Sequence, residues 1–153
     1  MYILNKIIKQ PSYCLTLDDT CCDSQCVIID NLKKAKIDVT ACVYKLNNYD
    51  IMYELKNAIE RGVKVKMIMD YENNIDSKIT KQLIESGAEI IFWKPNEKLH
   101  AKFMIIDNQV FTGSFNLTVS KRHKVDLIVI LSDDSSYHHF HTLFNKLYKE
   151  LNK

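Results

Sequence analysis

Residues 37–93 alternate between strand-like and helix-like segments, and this alternation constrains the fold more than any other feature of the sequence. The runs "IDVTACVY", "VKVKMIMD" and "AEIIFW" are mostly apolar and rich in β-branched residues, as expected for strands covered on both faces. Between them, apolar residues recur at helical spacing over 51–59 before Gly62, and residues 76–86 give a second helical pattern closed by Gly87. Strands joined by helices of these lengths predict a largely parallel sheet with helices packed on its faces.

The flanking segments extend this pattern and change its character. A short strand at "SYCLTL" and a helix capped by Asp23 or Ser24 precede it. "HAKFMIID" and "QVFTG" indicate an antiparallel hairpin around a tight polar turn, followed by a short helix from about Asn116, a strand "DLIVIL" and a final amphipathic helix. We therefore predict an α/β fold with a mixed, mostly parallel sheet and helices on both faces. No linker or repeat divides the chain, so residues 1–153 are predicted to form a single domain.

The net charge and the lengths of the apolar runs exclude few classes of function. The formal net charge of +2 is too small to identify a nucleic-acid binder, so any basic surface must be local. No apolar run is long enough to span a bilayer, and we expect a soluble, cytoplasmic (intracellular) protein without a transmembrane segment.

The stretch "LHAKFMIIDNQVFTGSFNLT", residues 99–118, places many polar groups inside an otherwise apolar segment. On a regular strand His100 and Lys102 project from the same face, and a lysine held there needs an anionic partner. Asp107 falls on the other face at the turn, where its simplest role is structural, holding turn amides or a neighbouring loop. Gly113 allows a close backbone approach, and it is followed by a hydroxyl and an amide, which are phosphate-binding devices.

These residues resemble the HxKxxxxD signature of the phospholipase D superfamily, followed by its Gly-Ser-Asn element, with the asparagine two residues after the serine as in the small bacterial nuclease branch. The resemblance extends more loosely over residues 12–150, including "AIERGVKVKMIMD". Two departures are visible. Five residues separate the motif aspartate from the glycine, where the family often has six, and Val125 stands where an acidic residue is expected.

The resemblance implies a metal-independent phosphodiesterase that needs no cofactor. His100 would attack phosphorus to give a covalent phosphohistidine, and the implied catalytic set is His100, Lys102, Asp107 and Asp126, the last orienting the histidine. Substrate phosphate would be held by Lys102, Ser114 and Asn116.

One histidine cannot serve as neutral nucleophile and protonated acid in the same step, yet the chain carries a single HxK. A C₂ homodimer that brings two copies of His100 to one phosphate would solve this problem, so we predict that a homodimer completes the active site. The predicted substrate is nucleic acid. The alternatives are a phospholipid phosphodiesterase of cardiolipin type and a catalytically inactive nucleic-acid or assembly module.

A local basic cluster brackets the motif and is either a nucleic-acid groove or an ordinary solvated surface. Its members are Lys94, Lys98, Lys121, Arg122 and Lys124.

The sequence predicts no metal site. His138 and His141 are one helical turn apart, but no cysteine or carboxylate at ligand spacing completes a set, so they are interpreted as a polar helix face. Cys21, Cys22 and Cys26 likewise lack the paired spacing of a zinc ribbon.

Overall fold

The computed structural model describes residues 11–16, 24–119 and 125–152. Twelve elements follow one another along these residues: β1 (Ser12–Thr16), α1 (Ser24–Lys34), β2 (Asp38–Val43), α2 (Tyr49–Glu60), β3 (Lys64–Met69), α3 (Tyr71–Asn74), α4 (Lys78–Glu85), β4 (Glu89–Phe92), β5 (Phe103–Ile106), β6 (Gln109–Gly113), β7 (Asp126–Leu131) and α5 (Asp134–Leu151). The proposed cap Asp23 lies outside the described residues.

The strands of the described chain form one seven-stranded sheet in the order β1-β7-β6-β5-β2-β3-β4. Strand β2 runs parallel to β3, and β3 runs parallel to β4, whereas the other neighbouring pairs are antiparallel. The prediction of a mixed α/β sheet is therefore confirmed. The expectation that the sheet is mostly parallel is wrong: only the pairs β2-β3 and β3-β4 are parallel, and the other four neighbour pairs are antiparallel, because the hairpin β5-β6 and the outer strands β7 and β1 reverse direction from one strand to the next.

Helices cover both faces of the sheet, as predicted. Alternate residues along the central strands point to opposite sides: Ala41 and Met67 pack into the core beneath α1, α2 and α4, whereas Cys42 and Ile68 pack against α5. The α5 side is closed by Phe144, whose side chain is 2% exposed. A sheet buried on both faces explains why its strands read as continuous apolar runs.

The predicted helix near Asn116 is wrong for the described residues up to 119. Leu117 instead forms a parallel bridge with Leu46, and the Asn47 amide donates to the Leu117 carbonyl at 3.1 Å. This pairing with the loop after β2 holds the segment extended. No helix N-terminus is therefore available at Asn116 to bind an anion.

The ends of the strands define two edges of the sheet. Strands β2 and β3 end at the same edge at which the antiparallel strand β5 begins, since Cys42 pairs with Phe103. We call this edge the catalytic edge, after the catalytic residues that the sequence predicts before β5. The edge at which β2 and β3 begin and β5 ends is the far edge, about 20 Å away along a six-residue strand.

Candidate active site

His100 and Lys102 lie together at the catalytic edge. Both precede β5 rather than belonging to it, so the shared strand face expected from the sequence is not what joins them. The Lys102 ammonium donates to the His100 carbonyl oxygen at 2.9 Å, and its Nζ lies 3.2 Å from His100 Nε2. The side chain of Lys102 therefore turns back toward His100, and His100 remains exposed to solvent.

The ring of Tyr44, the residue that follows β2, packs against both side chains of this pair. This ring meets the His100 ring edge-on, with centroids 4.6 Å apart and planes at 67°. The Lys102 ammonium lies 5.0 Å from the centroid of the same ring. Contacts of this kind favour a cation and fix the orientation of the imidazole.

Two buried polar residues hold the loops that carry Tyr44 and His100. Asp70, which is 1% exposed, accepts the Leu99 backbone amide at 2.9 Å through Oδ2 and caps α3 through Oδ1. Asn74 donates to the Tyr44 carbonyl at 2.9 Å and accepts the Leu46 amide at 3.1 Å. The imidazole is therefore positioned by groups at the end of β3.

Gly113 ends β6 where the chain comes against β7. Its φ is +143°, and a Cβ atom built there would overlap the Leu127 carbonyl oxygen. Any other residue would push the two strands apart, so the glycine is required for a close approach, as the sequence predicts.

Ser114 and Asp126 contact each other beside this glycine. The Ser114 hydroxyl donates to Asp126 Oδ1 at 3.2 Å and accepts the Leu127 amide at 2.9 Å. Asp126 is only 6% exposed, and the structure does not place it in hydrogen-bond contact with His100. The expectation that Asp126 orients the histidine directly is therefore corrected: among the described side chains its carboxylate receives the serine hydroxyl.

Asn116 reaches a small cavity next to this pair. The cavity, of about 30 Å³, also touches Lys102, Tyr44, Thr112 and Gly113. Asn116 Oδ1 is buried without a hydrogen-bond partner in the described structure, and leaving an amide oxygen unsatisfied costs on the order of 1–3 kcal/mol. The side-chain amide oxygen of Asn116 therefore lies beside the other residues of the cavity without a hydrogen bond to the surrounding fold.

Cys42 also touches this cavity, but it is not a reactive group. Burial raises the pKa of its thiol to about 12, because the low-dielectric surroundings disfavour the thiolate. Cys42 is therefore not a candidate nucleophile.

Asp107 does not belong to the site, and its assignment to the catalytic set is corrected. It follows the last residue of β5, at the far edge. Its Oδ1 accepts the Ile37 amide at 2.8 Å, both carboxylate oxygens accept the Lys36 amide at 3.1–3.2 Å, and Oδ1 lies 3.3 Å from the Asp38 amide. The four residues of β5 separate Asp107 from the end of the strand at which His100 lies. The carboxylate of Asp107 holds the loop before β2, which is the simplest role that the sequence indicates for it.

The described members of the basic cluster differ in their surroundings. Lys98 is exposed on the loop that leads to His100. Lys94 forms an ion pair with Glu150 at 3.6 Å and lies 5.4 Å from the Trp93 ring centroid, so α5 engages its charge. Lys121, Arg122 and Lys124 lie outside the described residues.

The histidines of α5 make local contacts. His141 stacks on Tyr137 with a centroid distance of 5.6 Å and hydrogen-bonds Asn145, and His138 meets Tyr137 edge-on. Within the described residues, no group of three or more cysteine, histidine or carboxylate side chains is arranged to hold a metal ion.

The fold and the site together define an α/β domain that presents an HxKxxxxD histidine-lysine pair at one sheet edge. A family model described as "Cardiolipin synthase, PLD-like domain" matches residues 28–148. The chain therefore belongs to this phospholipase D-like family, and the resemblance inferred from the motif is confirmed.

Known proteins similar to the chain include a "Phospholipase D" of Rickettsia typhi, which is 34% identical over 108 residues, covering 67% of this chain and 52% of the relative. The chain spans about half the length of the curated phospholipases D that it matches. Several solved structures share the fold, and two of them are similar to this chain over nearly their whole length. They are Nuc, a phospholipase D family member from Salmonella typhimurium (TM-score 0.77, 23% identity, 92% of this chain and 95% of that one), and NucT from Helicobacter pylori (TM-score 0.75, 20% identity, 92% and 97%).

None of the helices in the described part of the chain has the length and apolar character needed to cross a bilayer.

Proposed function

We propose that the chain is a metal-independent phosphodiesterase that hydrolyses nucleic-acid phosphodiester bonds through a phosphohistidine on His100, at a site completed by a second copy. The observation that carries the proposal is the pair itself: an exposed imidazole whose Nε2 lies 3.2 Å from the Lys102 ammonium. A nucleophile and a cation at this separation suit attack on an anionic phosphorus centre.

The proposed mechanism gives each ring nitrogen of His100 a separate role. An ammonium can only donate, so Nε2 accepts from Lys102 and the proton of the neutral ring lies on Nδ1. When a phosphodiester enters, the ammonium turns to a non-bridging oxygen and releases the Nε2 lone pair. Asn116 can assist through its Nδ2 hydrogens, whereas the Ser114 proton is directed at Asp126 and must rotate before it can bind phosphate.

The reaction then proceeds in two balanced steps. The Nε2 lone pair forms the nitrogen–phosphorus bond, the bond from phosphorus to the leaving oxygen breaks, and a protonated second imidazole gives its proton to that oxygen. Water next attacks phosphorus and gives a proton to the same imidazole, which is now neutral. Cleavage of the nitrogen–phosphorus bond restores His100.

The second imidazole is proposed to be His100 of another copy. Burial, and then the neighbouring Asp107, raise the pKa of Asp38 at the far edge, and among the described histidines His141 lies close enough to that carboxyl to oppose the rise, so His141 is not at the catalytic edge. Two large apolar side chains near the catalytic edge are exposed, Tyr49 (55%) and Val119 (53%), and a symmetric contact would cover them.

The test is incubation of the purified protein with EDTA and single-stranded DNA, duplex DNA, RNA or cardiolipin vesicles. We expect cleavage of nucleic acid, and a loss of roughly a thousandfold or more in His100→Ala. His139→Ala, which changes an exposed histidine on α5, is the matched control. Wild-type turnover by His100→Ala would eliminate the phosphohistidine mechanism, and dependence of cleavage on added metal would eliminate its metal independence.

A second experiment addresses the composite site. Light scattering should give the mass of a dimer, and mixing wild-type chains with excess His100→Ala should lower the activity per wild-type chain, because a mixed dimer has one imidazole. Activity that persists at a concentration where only single chains are present would refute the composite site.

Phospholipid hydrolysis is the second candidate, favoured by the family model description and by the relative named phospholipase D. Release of headgroups without cleavage of nucleic acid would select it. Binding of nucleic acid without any turnover would select the inactive module.

A further inference from the structure

The far edge of the sheet carries a concentration of positive charge that the proposed reaction does not use. The whole chain has a net charge of only +2, yet five exposed cations surround the point where α1 joins β2 and α2 joins β3. We call this surface the basic rim, and its residues are Lys33, Lys34, Lys36, Arg61 and Lys64.

The basic rim borders a shallow depression that is open to solvent. Lys33, Lys34, Lys36 and Arg61 line this depression, and Val63 lies in its wall. The two ion pairs found among the described residues, Lys66–Glu89 and Lys94–Glu150, involve none of the rim cations.

Local structure explains only part of this charge. Lys33 and Lys34 lie in the last turn of α1, where they favour the helix dipole, and Arg61 donates to the Leu32 carbonyl at 2.8 Å at the same helix end. Lys64 pairs with Asp38 across β2 and β3 and interacts electrostatically with its carboxyl, whereas none of these roles accounts for Lys36, which lies beyond the helix. The negative group inside the depression, Asp107, is directed at backbone amides instead of at these cations.

An apolar side chain protrudes among the cations. Ile37 is 67% exposed, the largest exposed fraction among the large hydrophobic side chains of the described residues. Its backbone is held on both sides: its amide donates to Asp107 at 2.8 Å, and its carbonyl accepts the Lys64 amide at 3.1 Å. The loop is therefore fixed with the isoleucine facing out.

We propose that the basic rim docks the protein on an anionic phospholipid surface, with headgroup phosphates in the depression and Ile37 inserted at the headgroup boundary. Each lysine near such a surface contributes about 1 kcal/mol, and a protruding aliphatic side chain adds apolar burial. A nucleic-acid backbone would be attracted by the same charges but would leave Ile37 in water. The combination of cations and an outward apolar residue therefore favours a lipid surface.

Docking through the rim determines where the catalytic edge points. Since β2 spans about 20 Å between the two edges, the imidazole would face away from the bilayer that holds the protein. A substrate would then arrive from the aqueous side. Membrane docking is independent of the proposed hydrolysis, so either can fail without the other.

The experiment is flotation of the purified chain with vesicles of phosphatidylcholine alone or mixed with phosphatidylglycerol. We expect binding only to the anionic vesicles, weakened by added salt. A variant with Lys34→Gln, Lys36→Gln and Lys64→Gln should lose roughly 100-fold in partitioning, from about fivefold per lysine. The matched control has Lys78→Gln, Lys81→Gln and Lys146→Gln, three exposed lysines on α4 and α5, and should bind like the wild type.

Ile37→Ser removes no charge and should lower partitioning about tenfold. Because this side chain is largely solvent-exposed, the variant also serves if the triple variant fails to fold, and thermal unfolding checks both. Cleavage by His100 should be unchanged in the rim variants. Equal vesicle binding by the wild type and the rim variants would overturn the proposal, and so would rim-dependent binding to an oligonucleotide with no binding to vesicles.

Discussion

Replacement of Asp107 separates the structural role of the motif aspartate from a catalytic one. In Asp107→Ala, three backbone amides, those of residues 36–38, lose their carboxylate acceptor. Hydrogen bonds to a charged group contribute about 1.5–3 kcal/mol each when buried, but water can replace a partner at this half-exposed loop, so about 1 kcal/mol each is appropriate. Asp107 also has a φ of +54°, which alanine adopts at an extra cost of about 1 kcal/mol. The free energy of unfolding should therefore fall by roughly 3–4 kcal/mol.

Asp107→Asn should cost less, because its remaining oxygen can keep the 2.8 Å bond to Ile37 and asparagine tolerates positive φ. Urea unfolding and thermal melts measure both changes, and about 3–4 kcal/mol corresponds to a fall in Tm of roughly 10 °C for a chain of this size. Asp76→Ala, at an exposed aspartate, is the control. The kcat of the folded fraction should be close to that of the wild type. A variant with unchanged stability and abolished kcat would refute the assignment of Asp107 to the fold.

Three further predictions follow from the site. In Asp70→Asn the Oδ1 cap of α3 can remain, but an amide NH₂ group replaces the acceptor of the Leu99 amide. We expect kcat to fall at least tenfold with KM little changed. A variant that changes neither kcat nor stability would show that Asp70 does not position His100. Gly113→Ala should lower the free energy of unfolding by roughly 3 kcal/mol or more, measured by urea unfolding, because its Cβ would overlap the Leu127 carbonyl; a variant as stable as the wild type would contradict the close approach. Cys42 should resist maleimide at pH 8 in the folded protein and react after denaturation. Burial raises the pKa of its thiol to about 12, so the reactive thiolate forms only as the pH approaches that value. Rapid labelling of Cys42 in the native protein would show instead that the thiol is accessible.

The order of elements could be predicted because it depends on local patterns. Apolar periodicity and the two helix-ending glycines located β2 to β4, and the polar turn located the hairpin. The helix expected at Asn116 failed for a nonlocal reason. The segment pairs with Leu46, about seventy residues earlier in the chain, and short-range propensity contains no information about that bridge.

The same limit applies to the site. The motif identified His100, Lys102 and Gly113. It did not identify Tyr44, whose ring packs against the imidazole, or Asp70, which holds the backbone of Leu99 next to it. Their roles depend on β5 lying beside β2 in a fixed register, which no spacing within the sequence specifies. A polar residue directly after each of two buried parallel strands is the signal that could have indicated them, since parallel strands end at the same edge.

The motif HxKxxxxD joins the two edges of the molecule through a single strand. Its histidine and lysine lie just before β5 and its aspartate just after it, so one short segment positions both the imidazole and the loop of residues 36–38. A change in the length of β5 would shift the register between these ends and disturb both together. The spacing between the proposed nucleophile and the aspartate therefore spans the length of the strand, and the strand places the histidine-lysine pair and the loop of residues 36–38 at its opposite ends.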